Sequence, residues 1–454
     1  MKVNRKLKTG TAQLTSGTKK LLDLANKNSF RHAGTISLPI LKQGQGSVVV
    51  DTDGKEYIDI SSGQMAVTVG HSHPKVVEAI KKSADKLIHI NHLLHSEESI
   101  LLASRLAEVL PDPLKKVLLL NTGSEANEAG IKVAKMHTGN YGVVSIVGGY
   151  HGHTAGALSV TFRGKNSAHR GFGPNMPGSM AIPTPYCYRC PLKLTFPSCD
   201  FACANVGFDL IDAQSVQTPA VFIGEPIMSS GGIIEPPQGY FEHVKNLCRQ
   251  RGMLFMLDES QTGLGRLGTM FGFEDDGAQP DLLVLSKTMG GGVPVSALVT
   301  TDVIENDVVD KGFFMRTSHM GDPLTAAAGL AVLDVIANEH LVEQARIKGQ
   351  YLKNKLLELK EMHPIIGDVR GRGLLLGIEF VKDPISKEPA VVEAGSITAK
   401  CLELGLLIDA PGGAKKGQAL WRIAPPITIT YNQIDSAVDI IDEAIKTAVP
   451  KVER

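Results

Sequence analysis

The chain has 454 residues, 43% hydrophobic and 21% charged, the profile of an ordinary soluble globular protein with length for two or three domains. Its 47 basic and 47 acidic side chains cancel, which argues against nucleic acid or an anionic membrane as the main partner. No stretch reaches the roughly eighteen apolar residues of a membrane-spanning helix.

The N-terminus, Met1 to Lys20, is basic, rich in Ser and Thr, and free of acidic residues. It lacks the apolar core of a secretory signal. It reads as a solvated arm, with a transit peptide as the alternative, and the expected location is cytoplasmic. Beyond it, short apolar runs alternate with helical stretches, the pattern of a mostly parallel sheet with helices on both faces. Val117–Leu120 is predicted as a strand and Ala126–His137 as a helix. Between them Thr122, Gly123 and Ser124 place a glycine and hydroxyls at a helix N-terminus, a natural phosphate cradle. An ordinary Ser/Thr cap with an acid in the first turn accounts for the same residues.

Tyr141–Val147 is the next predicted strand, ending in Gly148-Gly149-Tyr150-His151-Gly152-His153-Thr154. Tyr150 suits stacking on a flat heterocycle. His151 and His153 lack a helical zinc-ligand spacing and read as orienting or structural groups. Cys187, Cys190, Cys199 and Cys203 follow in a C-x2-C-x8-C-x3-C spacing. Zinc, disulfides and free thiols all remain open for them, and no catalytic metal site is expected. The strand Ala220–Gly224 delivers Glu225, and a helix is predicted near Tyr240–Arg251.

Two further apolar runs carry the most pointed chemistry. Met253–Leu257 ends in Asp258, and Leu282–Leu285 leads to Lys287 and a run of glycines. In an open parallel sheet, ligands collect at the carboxyl ends of strands. A lysine and an aspartate delivered there suit pyridoxal phosphate, which needs an amine for a Schiff base and a carboxylate for its ring nitrogen. A snorkelling lysine and a helix-capping aspartate are the plainer alternative for either residue alone. Gly263-x-Gly265-x-x-Gly268 imitates a dinucleotide fingerprint. It neither follows its strand at once nor opens a good helix, so a nicotinamide site is not expected.

Pro323 to His363 is almost all helix former, with Asp322-Pro323 as a start and Pro364 as a stop. Glycine-punctuated strands, Leu374–Phe380 and Trp421–Ile423, and a closing helix near Gln433–Val449 complete the chain. The predicted organisation is α/β. Residues 1–70 form an arm and part of a small domain, 71–322 a large domain, and 323–454 a linking helix and the rest of the small domain.

The blocks Asn121–Glu128, Leu257–Gly268, Leu285–Pro294 and Thr317–Pro323 resemble the class III aminotransferases of the fold type I pyridoxal-phosphate enzymes, and the likeness runs from about Gly46 to Val449. Within that family, Ser62–Met65, Glu225–Gly232, Gly367–Glu379, Lys387-Glu388-Pro389 and Arg422–Pro426 are most similar to the 2,2-dialkylglycine decarboxylases. The resemblance implies that Lys287 binds the cofactor aldehyde and moves the proton, and that Asp258 pairs with the ring nitrogen. It implies Gln261 beside the ring hydroxyl, Tyr150 over the ring, and Thr122, Gly123, Ser124, His151 and Glu225 around the cofactor. Ser318 would reach the phosphate of a neighbouring subunit, implying a homodimer, alone or paired into a tetramer. Gln64, Met65, His92, Ser230 and Arg422 would meet the substrate. Arg422 would clamp its carboxylate, and Gln64 would lie beside the bond that breaks. The implied reaction is decarboxylation-dependent transamination between an amino acid donor and a 2-keto acid acceptor. His92 stands where the decarboxylases have serine, Tyr150 where they have tryptophan, and the cysteine stretch is not in their pattern. An ordinary aminotransferase without decarboxylation is therefore the alternative.

Overall fold

The computed structural model describes residues 14–31, 39–163, 171–410 and 419–448. Seven strands form the central sheet: β1 (Leu114–Leu120), β2 (Val143–Ile146), β3 (Ser179–Ile182), β4 (Val221–Gly224), β5 (Leu254–Asp258), β6 (Leu282–Leu285) and β7 (Ser296–Thr301). Their order is β1-β7-β6-β5-β4-β2-β3. Only β7 runs antiparallel to its neighbours; the other pairs are parallel. The carboxyl ends of β1, β2, β4, β5 and β6 therefore share one edge. Strands β2, β4 and β6 are buried at every position. This is why they read as unbroken apolar runs rather than as an alternation.

The helix Gly123–Thr138 lies against one face of the sheet. It brings Ala126, Ala129 and Ala134 into a core shared with Val221, Met256 and Leu282. The approach is close enough that a Cβ on Gly130 would come within 2.5 Å of Met256 Cε. That glycine sets the helix depth, and through it the height of Asn127 above the end of β5. A larger core, with Phe208, Phe222, Phe255 and Leu285, fills the opposite face.

Two smaller sheets flank this unit. One contains Leu41–Gln45, Val48–Asp51, Glu56–Asp59 and Leu406–Leu407, the last pairing in parallel with Glu56–Asp59. The other holds Ile366–Arg372, Leu375–Phe380 and Leu420–Ile423. Early and late segments of the chain thus meet in one sheet. The single linking helix expected over 323–363 is instead two, Pro323–Asn338 and Leu341–Met362, bent by 65°. The break falls at His340, whose φ of 50° lies outside the right-handed helical region. Among the described residues no single helix is long and apolar enough to cross a membrane. The expected N-terminal arm lies largely outside the described residues. Its described part begins a helix, Ser16–Asn28.

Candidate functional site

Asp258 closes β5 and is almost fully buried, with 4% of its surface exposed. Its Oδ2 accepts hydrogen bonds from Asn127 Nδ2 at 2.8 Å and from His151 Nδ1 at 3.0 Å. Its Oδ1 accepts from the Ser260 amide at 3.1 Å. Burial pushes this carboxyl up, but the His151 hydrogen bond and charge, with Ser260 and Asn127, outweigh it and hold it below the usual carboxylate range. Asn127 also donates to the His151 carbonyl at 2.8 Å, which fixes the turn after β2. The result is a carboxylate kept anionic inside the protein.

Lys287 follows β6 by one turn residue, Ser286, and adopts φ 42°. A left-handed non-glycine backbone costs of order 1–3 kcal/mol and persists where its surroundings enforce it. Burial lowers the Lys287 pKa, against the opposing pull of Asp258 and Glu225. A lysine shifted this way presents a free lone pair more often. Lys287, Asp258, Tyr150 and Glu225 line one cleft.

Glu225 ends β4, next to β5, and is 5% exposed. It accepts the Tyr150 amide at 2.9 Å and the Ser229 amide at 3.3 Å. Burial dominates here, and its pKa is raised to about 7 despite the nearby His151. Gln261 Oε1 accepts the Ser229 hydroxyl at 2.8 Å, which aims the glutamine into the same cleft. The Tyr150 ring is part-buried, and the His153 ring lies 5.7 Å from it.

At the other end of the cleft stands the N-terminus of the helix Gly123–Thr138. Thr122 Oγ1 accepts the Glu125 amide at 3.2 Å and Glu125 Oε2 accepts the Thr122 amide at 3.0 Å, so the capping alternative is realised. The cradle coexists with it. A Cβ on Gly123 would come within 2.9 Å of Ser260 Oγ, and that hydroxyl is buried without a partner. Ser124 Oγ accepts the amides of His153 at 3.2 Å and Thr154 at 3.1 Å, and meets Thr154 Oγ1 at 2.7 Å. Its hydroxyl thus binds helix to turn.

Two arginines, Arg422 and Arg163, lie near enough to the cleft for their charges to act on Tyr150. Arg422, on the strand Leu420–Ile423, is 4% exposed and donates from Nη1 to Ser230 Oγ at 3.5 Å. Its Nη2 pairs with Asp409, which also accepts from Gln64 Nε2 at 3.3 Å. The fields of Arg422 and Arg163 both reach the Tyr150 phenol. Met65 is wholly buried in a small cluster with Ile227, Leu375 and Ala424. Its sulfur lies 3.5 Å from Ser229 Oγ, beneath the cleft rather than inside it. His92 is part-buried in the turn after the helix Pro74–Lys86. Ser318 is exposed on the 317–321 turn. Neither lines the cleft of its own chain.

Sequence reasoning did not single out Asn127, Ser260, Thr154, Arg163 or Asp409. Asn127 carried a usable signal, since it sits one helical turn beyond Gly123 on the same face. The decoy loop has a structural use. Arg266 is fully buried and donates from Nη1 to the Pro425 carbonyl at 2.6 Å and from Nη2 to Thr68 Oγ1 at 2.6 Å. The segment that follows is a short 3-10 turn, Gly272–Asp276, and not the helix a dinucleotide site needs. The four clustered cysteines are free thiols lining one small apolar cavity. Among the described residues they are not gathered closely enough to hold a metal ion; His89, His319 and Asp322 are, within 4.8 Å.

The cleft fits pyridoxal phosphate. An anionic carboxylate stands where a ring nitrogen needs a proton held, a buried amine where an aldehyde is captured, and an open helix N-terminus where a phosphate settles. The Ser260 hydroxyl and His151 Nε2 are buried without partners of their own, as expected where a polar ligand completes the bonding.

Comparison with known proteins agrees. The pattern of the family described as "Aminotransferase class-III" matches residues 30–445. The uncharacterized aminotransferase C1039.07c of Schizosaccharomyces pombe is 42% identical over 422 residues, covering 93% of each chain. The leucine/methionine racemase of Thermococcus litoralis is 35% identical over 405 residues, covering 89% of each. The crystal structure of an (S)-enantioselective ω-transaminase from Thermomicrobium roseum superimposes with a TM-score of 0.89 at 30% identity, covering 97% of this chain and 100% of that one.

Proposed function

This chain belongs to the class III aminotransferases, pyridoxal-phosphate enzymes of fold type I, and from that premise we propose that it transfers the amino group of a small amino acid to a 2-keto acid without loss of carbon dioxide. The observation that carries this reading is the joint presence of Lys287 and an anionic Asp258 in one cleft. When bound, pyridoxal phosphate supplies a conjugated ring that accepts the electron pair of the bond broken at the substrate α-carbon. Asp258 would hold the proton on the ring nitrogen. Lys287 Nζ would take the proton from the substrate α-carbon and serve as the group that gives it back. Gln261 and Tyr150 would hold the ring, and Gly123 with Ser260 would receive the phosphate. Arg422 orients the donor through a forked contact with a carboxylate.

A decarboxylating variant needs Gln64 to face the carboxylate that leaves. Its amide instead donates to Asp409, and the relatives named above include an aminotransferase and a racemase. Ser318, exposed and away from its own cleft, fits a role at a neighbouring subunit, so the working unit is proposed to be a cytoplasmic homodimer. The test is spectroscopic. Adding L-alanine should shift the absorbance of the bound cofactor, and pyruvate should restore it. A spectrum that stays fixed with a broad panel of donors overturns the reading. Carbon dioxide released from 2-aminoisobutyrate with pyruvate would move the assignment to the decarboxylating variant. Inversion of one alanine enantiomer without a keto acid would move it to a racemase.

A further inference from the structure

The loop that carries the four clustered thiols is tied to the cleft by a chain of charges. Arg189 stands between Cys187 and Cys190 in that loop and donates from Nε to Glu379, which also accepts the Tyr186 hydroxyl. Glu379, on the strand Leu375–Phe380, is 7% exposed. Its Oε2 pairs with Arg370 Nη1 at 2.9 Å, and the same Nη1 pairs with Asp368 at 2.9 Å. Two guanidinium cations thus meet two carboxylates, and the network is charge-balanced within itself. Tyr186 lies against Arg370, with its ring centre 4.9 Å from the guanidinium carbon.

Arg370 carries the connection onward. It donates from Nε to the carbonyls of Gly232 at 3.0 Å and Ile233 at 3.1 Å, and from Nη2 to Gly232 at 2.7 Å. Those residues sit in a tight turn closed by reciprocal backbone bonds between Met228 and Ile234. Ile233 takes φ 55°, a left-handed path that a branched side chain keeps only where its surroundings enforce it. A Cβ on Gly377 would come within 2.9 Å of Ile233 Cβ, so the turn lies directly on the strand that holds Glu379. The amides of Gly232 and Ile233 both donate to the Ser229 carbonyl, at 3.0 and 3.1 Å. The Ser229 hydroxyl in turn occupies Gln261 Oε1. With its oxygen taken, Gln261 has its amino end to offer a ligand in the cleft.

We propose that Arg189 is a positioning residue for the cofactor: through Glu379 and Arg370 it fixes the 228–234 turn, and Ser229 on that turn keeps the amino end of Gln261 aimed at the ring oxygen. The proposal goes beyond the transamination reading and rests on Gln261 as the contact to that oxygen. A donor there favours the deprotonated oxygen, and so lowers the pH at which the bound cofactor changes colour. The thiol-bearing loop therefore acts on the cofactor from outside the cleft, with no side chain of its own lining it.

The test is an absorbance titration of the cofactor-loaded protein, with melting temperature as the second readout. Arg189→Ala should raise the pH midpoint of the visible band by about one unit, a tenfold change in the proton equilibrium, and Arg189→Lys should restore part of the difference. Tyr186→Phe, which removes one donor to Glu379 and keeps the ring, should raise the midpoint by less. Lys387→Met is the control, because Lys387 holds the same loop through the Tyr188 carbonyl at 2.7 Å and not through Glu379. It should lower the melting temperature and leave the midpoint in place. Midpoints that move equally in Arg189→Ala and Lys387→Met, or stay at the parent value in both, overturn the proposal. Gln261→Ala separates the two layers of the argument. If it shifts the midpoint and Arg189→Ala does not, the link from the loop is refuted while the Gln261 contact stands; if it shifts nothing, contact and link fall together. Should Arg189→Ala fail to fold, Tyr186→Phe decides: a raised midpoint supports the link and an unchanged one refutes it.

Discussion

Asp258 and Glu225 end adjacent strands of one sheet, with Leu257 and Gly224 paired in register, and both are almost fully buried. Their charges diverge all the same. Asp258 is held below the ordinary carboxylate range and Glu225 is raised to about 7. Burial raises both; the difference is the company each keeps. Asp258 receives two side-chain donors, one of them an imidazole, and a backbone amide. Glu225 receives two backbone amides. Depth in a fold therefore does not fix ionisation; the donors arranged around a group do.

Substitutions can sharpen or break this contrast. The largest effect belongs to the amine that faces both acids. Lys287→Ala should lower kcat by about 10⁴-fold in a steady-state transamination assay, the upper range for losing a proton-transferring group. Next is Asp258→Asn, which keeps the shape and removes the charge. A fall in kcat of about 10³-fold is expected, typical of losing a preorganised electrostatic contact. A variant retaining near-parent kcat would show the two strand ends to be equivalent.

His151→Phe tests what separates them. It should reduce kcat by about 10- to 100-fold, the usual range for a group that orients a reacting one. It should also erase the stabilisation tied to the depressed Asp258 pKa. That contribution is present above the unfolded value of 3.8 and is lost as pH falls through the lower folded value. Melting curves should show the variant less stable than the parent above about pH 4, the gap closing in more acid.

The smallest effect is on stability at the other acid. The folded pKa of Glu225 lies above its ordinary 4.5, so its contribution is full below 4.5 and is lost as pH rises toward 7. Glu225→Gln should gain on the parent across that window. The gain levels off near roughly 3.5 kcal/mol, the shift from 4.5 to about 7 at 1.4 kcal/mol per unit. Thermal melts of the cofactor-free proteins between pH 4 and 8 would measure it.

Much of the framework was readable in the primary sequence because buried parallel strands announce themselves. Leu282–Leu285 was predicted with the observed bounds, and the ends of β5 and β6 pointed to Asp258 and Lys287. Two strands of the central sheet escaped, as did most of those in the smaller sheets. β3, Ser179–Ile182, is only partly buried along most of its length, and β7, Ser296–Thr301, is half polar in composition. The break at His340 also escaped, because Glu339 and His340 are ordinary helix residues whose departure is set by packing. Within the cleft, the charged and aromatic residues stood out. Asn127, Ser260 and Asp409 did not, because their significance lies in a partner 131, 137 or 13 positions away, found only once the chain is folded (258 − 127, 260 − 123 and 422 − 409).

Arg266 carries a lesson about divisibility. Its guanidinium leaves the loop behind Asp258 and grips Ser62, Thr68, Leu374 and Pro425, acceptors contributed by both ends of the chain. A fragment cut to retain the seven-stranded sheet alone would keep that cation and lose all four acceptors. The protein should therefore resist dissection: proteolysis or gene truncation between the two regions would leave no autonomous cofactor-holding piece.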